Sequence, residues 1–166
     1  MRVGIGYDVH PLISGDDLVL GGMKIPFSKG LSGYSDADVL THAIIDALLG
    51  AAGLKDIGNQ FPPEDSRYKD ISSLVLLDEV NKLLRAKGFK IKNIDAIIVA
   101  QQPELSPFID DMRDCLSQTL KIALGQVMVK ATTTDGLGFV GKGQGIAAYA
   151  VALVEENDVN FAKRKT

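Results

Sequence analysis

Tyr7-Asp8-Val9-His10 and Ser35-Asp36-Ala37-Asp38-Val39-Leu40-Thr41-His42 hold both histidines of the chain, each in the company of aspartates. Arg2 to His10 alternates and is β-branched enough to predict a strand. Residues two apart on a strand share a face, so Asp8 and His10 can point at one centre. The second segment predicts a helix starting near Asp36 or Asp38. Asp38, His42 and Asp46 are spaced by four and share one helical face, while Val39, Ile44, Leu48 and Leu49 mostly turn elsewhere. Together Asp8, His10 and His42 make a three-ligand set, which suits a catalytic Zn²⁺ or similar divalent ion with a fourth position open. A hydrogen-bonded structural histidine on an Ala- and Leu-rich helix fits the same pattern, and spacing alone leaves both readings open.

At 166 residues, 46% apolar and 23% charged, the chain is expected to form one domain over 1–166, with a polar tail from about 156 to 166 that frays. A net charge of −3, 6% aromatics and no tryptophan argue against a nucleic-acid-binding face. No run approaches ~20 consecutive apolar residues, so no membrane span is expected. The N-terminus lacks the basic start and apolar run of a secretory signal. Cys115 is alone, which excludes an internal disulfide framework and fits a reducing compartment. The expected location is the cytoplasm, although a processed plastid-type protein would read the same way.

Further along, Ile13 to Asp17 predicts a turn, Leu18 to Leu20 a short strand, and Lys24-Ile25-Pro26 an edge segment, because proline cannot donate to a central ladder. Phe27 to Tyr34 is expected as a loop leading to Ser35 and Asp36, both good helix caps. The helix weakens at Gly50 and Gly53. Asp56 to Asp65 holds too many breakers for regular structure and is expected as a surface loop. Leu74, Leu77, Val80, Leu83 and Leu84 predict a second helix within Ile71 to Lys87. Ile91 to Gln101, Val127 to Ala131 and Ile146 to Val154 predict strands, and Phe108 to Leu124 a third helix. That order implies a two-layer α/β sandwich with helices on one face of a mixed sheet. The last strand is apolar on both faces, so either a helix covers the second face or subunits associate through the sheet.

Three other stretches carry chemical groups. Ala131-Thr132-Thr133-Thr134-Asp135 offers hydroxyls and a carboxylate at a strand end, able to grip phosphate and a hard cation. A plain β-rich strand edge would look alike. Gly136 to Gly143 is glycine-rich but matches neither the P-loop nor the dinucleotide fingerprint. Asp56-x-Gly58 could hold a polyol or be an ordinary turn.

Asp8-Val9-His10, Ser35-Asp36-Ala37-Asp38-Val39 with His42, Asp46 to Ala52, Asp56-Ile57-Gly58, Phe61-Pro62, and Lys130 to Thr134 followed by Leu137-Gly138-Phe139 resemble the 2-C-methyl-D-erythritol 2,4-cyclodiphosphate synthase family over essentially the full chain. The resemblance implies a homotrimer joined through its sheets, with active sites between neighbouring subunits. It also implies Zn²⁺ or another divalent ion on Asp8, His10 and His42, and Mg²⁺ or Mn²⁺ with the substrate diphosphate. By the same likeness, Asp46 orients metal-ligand groups and is catalytic together with Thr133. Asp56 and Gly58 hold the methylerythritol hydroxyls and Ser35 a phosphate, to which the Tyr34 phenol can also donate; Ile57, Phe61 and Asp65 are further substrate-binding positions. The Ala100-to-Ser106 loop, with Ala100, Gln101, Pro103, Leu105 and Ser106, and Ala131, Thr132 and Thr133 line the cytidine and diphosphate pocket of the adjacent subunit. Phe139 and Lys142, the latter near the trimer axis, are further substrate-binding positions.

Several positions depart from the family pattern. Tyr34 stands where many members have histidine, Lys142 where arginine is frequent, and Tyr149 where some have glutamate. Asp135 replaces a common glutamate ligand of the second ion and is one methylene shorter. Two rival functions remain at this point: a metal-dependent hydrolase of a nucleotide diphosphate, and a non-enzymatic trimer with a structural metal.

Overall fold

The computed structural model describes residues 1–157. Its elements are β1 (Arg2–Ser14), β2 (Leu18–Leu20), β3 (Met23–Ile25), β4 (Lys29–Leu31), α1 (Val39–Ala52), α2 (Ile57–Gln60), α3 (Ser73–Ala86), β5 (Phe89–Val99), α4 (Ile109–Leu120), β6 (Val127–Thr132), α5 (Gly138–Gly141) and β7 (Gly145–Glu156). Five strands form one sheet in the order β4-β1-β7-β5-β6, and β2 and β3 form a separate hairpin. Only β5 and β6 run parallel within that sheet; the other pairs are antiparallel. Helices α1, α3 and α4 cover one face, which is the mixed two-layer arrangement expected.

Helix α1 is buried on nearly every side, between the sheet and α3. Its run of Val, Leu, Ala and Ile is apolar almost all round, as a helix in that position requires. Two glycines on β1 decide how close it comes. A methyl group on Gly6 would stand 2.7 Å from Ala47 N and nearer still to Ala43 O, and one on Gly4 would meet Ala47 O and Ala51 N. With hydrogen at both positions, the α1 backbone rests directly on the strand and carries His42 up to Asp8.

Several local expectations are corrected. Phe27 to Tyr34 is not all loop: Lys29–Leu31 is a strand, and β1 continues past His10 so that Leu12, Ile13 and Ser14 face Leu31, Gly30 and Lys29. Three residues containing a glycine show no periodicity of their own and owe their extended form to the partner strand. Asp56 to Asp65 is also more ordered than its breakers suggest. Asp56 caps α2 and Asp65 caps a 3₁₀ turn at Ser66–Tyr68, each through its carboxylate. Asp38, rather than Ser35 or Asp36, caps α1. The third helix stops at Leu120, where Lys121 turns left-handed with φ 56°. Of the tail expected to fray, Glu156 is instead paired with Phe89 as the last residue of β7. Residues 158–166 lie outside the described residues.

The sheet face away from the helices is apolar and open. Val3, Ile5, Tyr7 and Val9 of β1 share it with Tyr149 and Val151 of β7, and Ile5 is 71% exposed. Tyr7 and Tyr149 stack across the ladder with centroids 4.7 Å apart. Among the described residues no helix is long and apolar enough to cross a membrane.

Candidate metal centre and flanking clefts

Asp8 and His10 leave β1 on the helix-facing side, where His42 descends from the first turn of α1. Asp8 Oδ2 lies 2.9 Å from His10 Nε2 and 3.0 Å from His42 Nδ1, and the two nitrogens are 3.3 Å apart. Each ring is held from behind. His10 Nδ1 is 2.9 Å from the Ser32 carbonyl, which only accepts, so Nδ1 carries the proton and Nε2 turns its lone pair inward. His42 Nε2 is 2.8 Å from Ser73 Oγ and 3.1 Å from Ser35 Oγ, leaving Nδ1 to face the centre.

Two nitrogen lone pairs and a carboxylate oxygen thus converge on one point. Tetrahedral zinc with bonds of about 2.0–2.1 Å sets neighbouring ligand atoms about 3.3 Å apart, close to the 2.9, 3.0 and 3.3 Å found. The three residues could hold a metal ion, and their donor set and spacing fit one. Without an ion, protons serve instead. Burial raises the Asp8 carboxyl, but hydrogen bonds from His10 and His42 and their charges outweigh it and hold the group well below the usual carboxylate range. Burial lowers His10, yet the Asp8 hydrogen bond and charge prevail and keep its pKa above that of a free imidazole.

A cleft of about 220 Å³ opens at this centre, lined by Asp8, His10, Tyr34, Ser35, His42, Ile57, Gly58 and Phe61 together with Pro63, Tyr68 and Leu76. A second cleft of about 490 Å³ is lined by Ala100 to Ser106, Ile109 and Ala131 to Thr133, so the expected cytidine-side residues Gln101, Pro103, Leu105 and Thr132 do gather. The two lie along one ladder row, Asp8–Ala148–Ile98–Ala131. Three strand spacings of about 4.8 Å put them roughly 14 Å apart within the protomer. Asp46, Asp56, Asp65, Asp135, Phe139 and Lys142 line neither cleft.

The whole chain can be set beside known proteins. A family model described as the YgbB family matches residues 1–155. A curated relative from Pelotomaculum thermopropionicum, "2-C-methyl-D-erythritol 2,4-cyclodiphosphate synthase", is 62% identical over 156 residues, covering 94% of this chain and 96% of that one. This chain belongs to that synthase family. The Clostridium acetobutylicum synthase is 58% identical, over 93% of this chain and 99% of its own. Among solved structures, the bifunctional IspDF of Campylobacter jejuni superposes with a TM-score of 0.91 at 39% identity over 95% of this chain, which spans only 42% of that longer protein. The Plasmodium falciparum IspF in complex with CDP gives 0.83 at 32% identity, over 95% of this chain and 97% of its own.

Within this member of the synthase family, the aspartates divide the work differently from their spacing. Asp38 shares the i, i+4 series with His42 and Asp46 but is fully buried beneath the β2–β3 turn. It accepts from Gly21 N, Gly22 N, Thr41 N and Thr41 Oγ1 at 2.7–3.0 Å. Burial pushes its carboxyl above the usual range against those hydrogen bonds. Asp46 accepts from Ile57 N at 2.8 Å and so holds α2, with Ile57 and Gly58, in the wall of the first cleft. Asp56 Oδ1 accepts from both Asn59 N and Asn59 Nδ2 at 2.8 Å. Asp65 is paired with Arg67, and its carbonyl accepts from the Tyr34 hydroxyl at 3.4 Å. Asp135 sits at φ 51° against Thr133 Oγ1. Gln101 reaches across with Oε1 to Gly136 N at 3.1 Å, tying together the two loops that frame the second cleft.

Sequence reasoning missed Ser73, Ser32, Gly4 and Gly6. The glycines carried a signal, since Gly-x-Gly on the strand just before Asp8 marks a close backbone approach. Ser73 carried none, because it lies 31 residues from the ring it contacts.

Proposed function

We propose that the chain converts 4-diphosphocytidyl-2-C-methyl-D-erythritol 2-phosphate to 2-C-methyl-D-erythritol 2,4-cyclodiphosphate and CMP, acting as a phosphorus–oxygen lyase in non-mevalonate isoprenoid biosynthesis. The observation that carries this is the Asp8, His10 and His42 centre at the mouth of a cleft walled by Ser35, Ile57 and Gly58, in a chain of this synthase family.

In the reaction the 2-phosphate oxygen bonds to the β-phosphorus and the bridging oxygen leaves with its electron pair on CMP. Nucleophile and electrophile belong to one molecule, so the protein supplies no nucleophile. Its tasks are to fold a flexible polyanion into line and to offset its charge. Asp8, His10 and His42 would hold Zn²⁺, and Asp135 would assist Mg²⁺ or Mn²⁺ at the diphosphate, the ions supplying neutralisation that a chain of net charge −3 lacks. Ser35 and Tyr34 donate hydroxyls to a phosphate. Ile57 and Gly58, held by Asp46, present backbone to the polyol, and Asp56 accepts its hydroxyl protons. The cleft framed by Ala100 to Ser106 and Ala131 to Thr133 takes the cytidine diphosphate. The open apolar face of Ile5, Tyr7, Tyr149 and Val151 supports assembly into a trimer, in which that second cleft meets the metal centre of a neighbour.

The test is turnover in H₂¹⁸O. Cyclisation gives a product with no solvent oxygen, whereas hydrolysis of the diphosphate incorporates one atom and would overturn the assignment. His42→Ala is expected to remain a folded oligomer without bound metal or turnover; full activity without metal would defeat the ligand set.

A further inference from the structure

The back of the His42 ring is wired to a carboxylate two links away. Ser73, the first residue of α3, is fully buried, and its Oγ lies 2.8 Å from His42 Nε2. The same hydroxyl donates to Asp36 Oδ1, and the other oxygen of that carboxylate accepts from Ser73 N at 2.9 Å. The loop carrying Asp36 is zipped to the chain before α3 by Asp36 N to Ile71 O at 3.1 Å and Asp70 N to Tyr34 O at 2.9 Å. Asp36, Ser73 and the ring therefore sit on a common framework.

We propose that Asp36 and Ser73 are positioning residues that set the tautomer of His42. A hydroxyl has one proton. Because a carboxylate only accepts, that proton goes to Asp36, and Ser73 Oγ can offer His42 only a lone pair. Nε2 must then carry the ring proton, and Nδ1 keeps its lone pair for the centre shared with Asp8 and His10. Ser35 Oγ, 3.1 Å from the same Nε2, cannot impose this alone, since its hydroxyl can donate or accept. His10 reaches its matching state through the Ser32 carbonyl. The two rings thus use opposite nitrogens, one fixed by backbone and the other by a relay of side chains.

The polarity of the relay can be reversed without changing its shape. In Asp36→Asn, the Ser73 backbone N–H still requires an acceptor and claims the amide oxygen. The NH₂ then faces Ser73 Oγ and donates to it. The serine proton swings to His42 Nε2, and the ring proton is driven to Nδ1, where it blocks the metal position. One weak contact, from Asp38 N to Asp36 Oδ1 at 3.3 Å, is lost as well. Ser73→Ala instead leaves the tautomer unforced.

This rests on the metal-centre reading above, and the experiment separates the two. The chain's two histidines make the imidazole ¹⁵N spectrum of the protein at a fixed zinc concentration simple to assign. With an ion in place of the proton that Asp8 otherwise draws to Nδ1, His42 is expected to carry its ring proton on Nε2 in the wild type. In Asp36→Asn at the same zinc concentration the serine proton competes for Nε2, and the ring proton is expected on Nδ1 with zinc displaced, His10 being unchanged in both. Zinc affinity, measured by competition with a chromophoric chelator, should fall ten- to a hundredfold in Asp36→Asn and several-fold in Ser73→Ala, with far-UV circular dichroism preserved. An Asp36→Asn protein that keeps the Nε2–H tautomer and wild-type zinc affinity overturns the relay. Should that variant not fold, a folded Ser73→Ala protein with wild-type zinc affinity overturns it equally. A tautomer switch in a protein whose wild type binds no zinc would leave the relay standing and remove the metal reading.

Discussion

Gly6→Ala tests the claim that the centre is assembled by close contact between a helix and a strand. The added methyl would press hardest on Ala43 O and would lie 2.7 Å from Ala47 N, where ordinary van der Waals contact begins near 3.4 Å. Both neighbours are backbone atoms, so no side chain can turn aside, and the contact with Ala43 O makes α1 retreat by more than about 1 Å. His42 is adjacent to Ala43 and moves with it. The 3.0 Å spacing between Asp8 and His42 would open toward about 4 Å, beyond the ~3.3 Å edge of a tetrahedral site. Overpacking of this kind costs about 1–3 kcal/mol of stability, and a misplacement near 1 Å costs on the order of a hundredfold in rate. The assay pairs thermal denaturation with zinc competition and turnover. Gly50→Ala is the control: a methyl there has its nearest neighbour, Ile5 O, at 3.9 Å, and the residue is exposed inside α1. It should stabilise by roughly 0.5–1 kcal/mol and leave zinc binding intact. Wild-type zinc affinity and turnover in Gly6→Ala would refute the reasoning.

Asp38→Ala removes a helix cap and strands the amides of Gly21 and Gly22, so it should cost about 3 kcal/mol or more in thermal or urea unfolding; a change under about 1 kcal/mol would show that water replaces the carboxylate. In the metal-free protein the Asp8–His10 pair makes stability depend on pH. The raised pKa of His10 gives a contribution that is complete below about pH 6.5 and lost as pH rises through its folded value. The depressed pKa of Asp8 gives one present above about pH 4 and lost as pH falls through its folded value. Melting temperature in chelator should therefore drop as pH rises above about 6.5, while zinc affinity rises over the same range as protons cease to compete; parallel trends would contradict the pairing. Ile5→Asp places a charge on the open apolar face and should yield a monomer by sedimentation with turnover lost. A fully active monomer would place the complete site within one subunit.

Much of this was legible in the chain. Period-two alternation put Asp8 and His10 on one strand face, and helical spacing placed His42 and Asp46 on another, because both periodicities are local properties of the backbone. The strand and helix inventory was largely readable for the same reason. Lys29–Leu31 and Ile57–Gln60 escaped it, being too short to show a period and held by a partner strand and by the Asp56 cap.

Which aspartate does what was decided only in three dimensions. Asp38, Asp46 and Asp36 are alike as letters, yet one closes a turn beneath the hairpin, one holds the Ile57 amide and one reaches Ser73. Their partners lie between 11 and 37 residues away, and no local pattern encodes contacts at that range. The sequence by itself determined the two segments that carry Asp8, His10 and His42 and the family they belong to. The tertiary structure brought them together, because glycines at 4 and 6 let α1 lie against β1, and it settled which nitrogen of each imidazole faces the shared centre.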